Sequence, residues 1–174
     1  MKTAMAAMKL LLLAFLGSSV PAMKMANLRP AVVEKRKLAL SPTTIKGWAE
    51  AAGITIEAVK ELGSLVGAVT DAALTNYLNA ASQVVMKGDG AMWVSSLTGT
   101  WGTWNGKLRS LYYHATLDHY TTILGRNGCK GVSKKAGGWA DVSDTRAMWG
   151  NKSWIKPCPV GWNCGSPTQT ECKV

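Results

Sequence analysis

The chain has 174 residues, with 20 Lys and Arg against 10 Asp and Glu, and four Cys. That length suits one compact domain with a buried core and excludes a multidomain enzyme. A composition of 47% apolar and 17% charged residues excludes intrinsic disorder, and the formal charge of +10 points to nucleic acid, an anionic surface, or basic segments lost on maturation.

The chain opens with Lys2 and Lys9 ahead of an apolar run over residues 10–16, followed by Val20-Pro21-Ala22. A charged start, a short apolar stretch and a small-residue exit predict a secretory signal peptide over residues 1–22, cut after Ala22. The run is too short to remain as a membrane anchor. Residues 23–36 are polar and basic and read as a propeptide or spacer that ends on the dibasic pair Lys35-Arg36. Secretory-pathway processing proteases of eukaryotes hold such pairs in acidic subsites. The expectation is a secreted, extracellular protein with a single mature domain over residues 37–174. Removing residues 1–36 lowers the charge from +10 to +5, fourteen cations against nine anions. Most of the remainder sits in residues 87–174, with eleven cations against five anions.

Residues 41–87 are Ala-rich, lack Cys and read as helical. Ser41-Pro42 offers a cap and a proline start for a short helix that ends near Ala52 and Gly53. Thr55 caps the next segment, with Glu57 in its first turn. Ile56, Val59, Leu62, Val66, Val69, Ala73, Tyr77 and Val84 recur at helical spacing. They predict one helix of about 30 residues or two joined near Asp71, closing at Lys87-Gly88. Residues 62–86 carry one charge, Asp71, and the pair Gly63 and Gly67 would let another backbone approach a helix face. Such a segment is either a buried core helix or one that enters a membrane or self-assembles.

Residues 88–174 hold all four Cys and most of the Trp, and read as strands and loops. Residues 91–97 form a candidate strand. Asn105-Gly106 predicts a tight hairpin turn between residues 101–104 and a strand over residues 107–117. Asp118 then caps a short helix or turn running to Leu124, and Arg126-Asn127-Gly128 makes a second turn. The rest is Gly-rich and basic. The fold class that follows is α+β: an N-terminal helical hairpin packed on a small antiparallel sheet, with a disulfide-stapled, loop-rich C-terminal region.

Cys129, Cys158, Cys164 and Cys172 are an even count in a secreted chain, so two disulfides are expected, with three pairings open. Their spacing lacks the short Cys pairs of a zinc site, and no metal or other cofactor is implied. Asn151-Lys152-Ser153 is a glycosylation sequon.

His114 and His119 are the natural acid and base of a small basic nuclease, if a turn at Asp118 brings them together. No hydrolase, metalloprotease or phosphate-loop motif accompanies them. Trp with Lys and Arg is what a headgroup interface attracts. Trp101, Trp104, Trp139, Trp149 and Trp154, interleaved with Lys130, Lys134, Lys135, Lys152 and Lys156, are therefore the candidate surface. The layout, a signal peptide, a dibasic spacer, an Ala- and Gly-rich helical region and a Cys-bearing strand region, resembles small secreted toxins and effectors of fungi and invertebrates. It implies a processed, basic protein acting at target-cell membranes, cytolytic or pore-forming in type. A secreted module that binds an acidic partner or a glycan through surface Trp is the second reading, and the nuclease the third.

Overall fold

The computed structural model describes residues 32–34, 40–100, 102–158 and 164. The expected signal-peptide site at Ala22, the pair Lys35-Arg36, Trp101 and Cys172 lie outside the described residues.

Three short helices follow one another: α1 (Pro42–Ala51), α2 (Ile56–Leu65) and α3 (Asp71–Ala80). Each begins on a hydroxyl that satisfies an otherwise orphaned backbone N–H. Ser41 Oγ accepts from Thr44 N at 3.1 Å, Thr55 Oγ1 from Ala58 N at 3.2 Å, and Thr70 Oγ1 from Ala73 N at 3.1 Å. Pro42 takes the first turn of α1, where a missing N–H costs nothing. The reading of residues 55–87 as one or two helices is corrected in its last part. Gln83–Lys87 is a strand, and its buried Val84, Val85 and Met86 belong to the sheet. An apolar run this short has no period that separates a strand from a buried helix.

Among the described residues, eight antiparallel strands make two sheets. The larger has the order β1-β2-β3-β4-β7 and the smaller β6-β5-β8. Their ranges are β1 (Val32–Glu34), β2 (Gln83–Lys87), β3 (Ala91–Leu97), β4 (Lys107–His114), β5 (His119–Gly125), β6 (Gly128–Lys134), β7 (Trp139–Thr145) and β8 (Lys152–Pro157). The strand expected at residues 91–97 and the turn at Arg126-Asn127 stand as read. Three readings change. The chain between β3 and β4 is a nine-residue loop, residues 98–106, with Asn105-Gly106 at its end rather than at the tip of a tight hairpin. Residues 119–125 are a strand rather than a helix or turn, because β5 is buried on both faces and shows no alternation. Much of the supposedly loop-rich region is strands β6 to β8.

The molecule is layered as helices, large sheet, small sheet. Leu62, Leu74 and Leu78 of the helices pack with Val84, Met86, Met92, Val94, Leu111, Tyr113 and Trp139 of the large sheet in the main core. Trp139 is 4% exposed and donates its indole N–H to Ala58 O at 2.9 Å, tying β7 to α2. On the same face Arg109 holds Asp141 through two nitrogens, at 2.8 and 2.6 Å, and donates to Leu65 O. This pairing raises the Arg109 pKa, with burial working against it.

The second interface is largely polar. The Trp93 indole N–H donates to Ser110 Oγ, Ser110 bonds Thr121 Oγ1 at 2.6 Å, and Thr121 donates to Trp154 O. Ser95 and Ser153 bond across it at 2.8 Å. Among the described residues, Leu108, Ile123 and Val142, with Leu97 beside them, form a small apolar cluster there. At the end of β8, Cys158 is disulfide-bonded to Cys164, with Cα atoms 5.7 Å apart. Cys129 is disulfide-bonded as well.

Candidate functional site

Among the described residues, no helix is long and apolar enough to cross a membrane. Residues 62–80 are split between α2 and α3, and Leu62, Leu74 and Leu78 are core. Gly63 lies inside α2, where an added Cβ would sit 2.8 Å from Ala68 O. Gly67 lies beyond the helix at φ +73°, so the two glycines do not share a helix face. The close approach at Gly63 is made by the chain's own returning backbone.

The two histidines are brought together. β4 ends at His114, β5 starts at His119, and the rings lie 6.4 Å apart. Both are shut away, at 1% and 0% exposure. His114 Nδ1 accepts from the amides of Thr116 and Leu117. The ring nitrogens of His119 face the carbonyl oxygens of Leu117 and Tyr112, at 2.9 and 3.0 Å. Burial is the main cause that lowers the His114 pKa, with nearby His119 and Lys87 adding to it and Asp89 opposing. The Tyr112 phenol, edge-on to both rings, is pushed up, also by burial. These rings brace the two sheets, and neither is open to a phosphate in solvent.

Of the ten Trp and Lys positions expected to form one surface, the nine that are described fall into separate places. Trp139 is core. Lys130, though exposed, is tied to the buried Asp144 at 2.9 Å. Burial opposes the charge on Asp144, but hydrogen bonds from Lys130 and Asn127 outweigh it and hold the carboxyl below its usual range. Lys134 and Lys135 sit at the far end of the small sheet. There the Lys135 ammonium bonds Asp118 at 2.6 Å and, with the Ala136 amide, keeps that carboxyl low. Trp154 and Lys156 share one face of β8 with Tyr120 and Thr122 of β5, since cross-strand partners point the same way.

What gathers is at the opposite end of the sheets. Trp104, in the β3–β4 loop, is 49% exposed, and the Arg126 guanidinium stacks over its ring at 4.7 Å. Trp149, in the β7–β8 loop, is 74% exposed, and Lys152 follows at the start of β8, opposite Leu124. The loops beneath these side chains are tied to one another. The buried Arg146 bonds Thr98 O and Gly99 O, at 3.3 and 3.1 Å, and its backbone N–H reaches Gly106 O. Arg126 N bonds Thr145 O, and Asn127 bonds Asp144. Asn151 clasps both backbone groups of Ala147, at 2.7 Å each. Its sequon therefore stands on a half-buried amide with a structural task. Sequence reasoning placed Arg126 only as a turn residue. Its partner Trp104 lies 22 positions earlier, and nothing short of the strand pairing joins them.

Residues 98–155 match the family model described as Bacteriocin (Lactococcin_972). The matched stretch is a third of the chain and runs from the β3–β4 loop through β4, β5, β6 and β7 into β8. It contains Trp104, Arg126, Trp149 and Lys152. No curated protein and no solved structure matches the chain. The family match supports a secreted, bacteriocin-like protein.

Proposed function

We propose that this chain is a secreted, bacteriocin-like protein that docks on the anionic membrane surface of a target bacterium through its Trp104–Arg126–Trp149 end. The observation that carries the reading is a coincidence of place. The stretch resembling a bacteriocin family is the one that carries the two exposed Trp with Arg126 and Lys152. Amphipathic rings settle at a headgroup boundary, and cations beside them meet lipid phosphate. The loops are held by Arg146, Asp144 and Asn151, so little ordering remains to be done on contact. Docking, rather than insertion of residues 62–86, fits the burial of Leu62, Leu74, Leu78, Val84 and Met86.

The test is co-sedimentation of the protein with vesicles of phosphatidylglycerol and, separately, of phosphatidylcholine. The reading expects salt-sensitive binding to the anionic vesicles alone. Arg126→Glu and Trp149→Ala should each weaken it about tenfold, with an unchanged fold. Equal binding to both lipids, or full binding by both variants, rejects it.

A further inference from the structure

The outer face of the small sheet carries a second feature, apart from the docking end. Register sets Tyr120 opposite Lys156 and Thr122 opposite Trp154. The four side chains share one face and, with Ile155, line a cavity of about 320 Å³. The patch spans two residues along the strands and two strands across, roughly 7 by 5 Å. On the other side of Thr122 the pairing residue is Gly131, so β6 adds no side chain there.

Three observations give the cavity a chemistry. Thr122 is 1% exposed, and its hydroxyl has no hydrogen-bond partner among the described residues. A buried hydroxyl left unpaired is costly, and Thr122 is one of the residues that line the cavity. The walls are aromatic, Trp154 and Tyr120, with the Lys156 ammonium 5.9 Å from the Tyr120 ring centre. Among the described residues, Lys156 makes no ion pair and no carboxylate lines the cavity.

We infer that this cavity is a binding site for a single sugar ring bearing a carboxylate. A pyranose offers an apolar C–H face to pack on Trp154 and Tyr120, and a rim of hydroxyls of which one satisfies Thr122. The carboxylate meets Lys156. The volume lies at the small end of ligand pockets and suits one ring rather than a chain. A nucleobase would also stack on the aromatic walls, but its edge would leave Lys156 without an anion, so the sugar acid is the occupant argued for.

The experiment is a titration of the ¹⁵N-labelled full chain with sodium glucuronate, with glucose and uridine as comparison ligands, followed by amide and indole shifts. Glucuronate is expected to give saturable shifts at Thr122 and Trp154, about tenfold tighter than glucose, with uridine giving none. Thr122→Val keeps the side-chain shape and removes the hydroxyl. It should weaken both sugars about tenfold without lowering the thermal midpoint. Lys156→Met, at an exposed position, should bring glucuronate down to the affinity of glucose. Both variants should still bind anionic vesicles, so loss of this site and loss of the docking end are told apart. Shifts that miss residues 120–122 and 154–156, unchanged sugar binding by both variants, or a uridine response without a sugar response would overturn the assignment.

Discussion

His114 shows what a single side chain does to the stability of this fold. It sits buried at the end of β4, with Asp89, Lys87 and His119 as its charged or titratable neighbours. Burial lowers its pKa below the ordinary 6.5, so the unfolded chain takes up a proton before the folded one does. Stability should therefore be level above about pH 6.5 and fall as the pH drops below it. Thermal midpoints measured from pH 8 to pH 5 should show that decline, and His114→Asn should flatten it. A midpoint that rises on acidification over this range would contradict the sign. Trp139 is the opposite kind of residue, large and apolar with one polar tie. Trp139→Ala removes its packing on Tyr113 and its bond to Ala58 O. The expected cost is about 3–5 kcal/mol, read from urea unfolding. Composition cannot separate Trp139 from the exposed Trp149. Only the pairing of β4 with β7, Tyr113 opposite Trp139, puts one in the core.

At the scale of elements, local chemistry was legible where it acts locally. The caps at Ser41 and Thr55 and the break at Gly53 are short-range signals, and the helices obey them. Strand β3 was legible from its apolar run bounded by Gly90 and Gly99. Strands β5 and β6 were not, for opposite reasons. β5 is buried throughout and so loses alternation, while β6 is an exposed edge with little apolar content. The candidate site was legible in kind, as Trp among cations, but not in place. Sheet register assembles Trp104 with Arg126 and sends Trp154 to another face. The β3–β4 loop depends on two glycines that cross. Gly99 and Gly106 hold φ of +90° and +126°, and a Cβ on either would run into the backbone of the opposite end of the loop. Gly99→Ala should cost ~2 kcal/mol or more and loosen the seat of Trp104. Urea unfolding, together with quenching of exposed Trp, checks both effects. A variant as stable as the parent would mean that the crossing is not needed.

The whole molecule separates support from contact. The helices close one face of the large sheet, the small sheet closes the other, and the exposed Trp–Arg end stands on loops fixed between them. This arrangement accounts for a basic chain whose helical half is nearly neutral, three cations against four anions over residues 37–86. Beyond residues 1–36, positive charge is concentrated where the chain resembles a bacteriocin family, with eight cations against three anions over residues 98–155. Such a body can dock without opening. The most direct test is hydrogen–deuterium exchange of the protein on phosphatidylglycerol vesicles. New protection is expected in residues 102–106, 126–128 and 147–152, with α1, α2 and α3 exchanging as they do in solution. Unchanged loops together with altered exchange in α2 and α3 would show that the helices, not the Trp–Arg end, meet the membrane, and would contradict it.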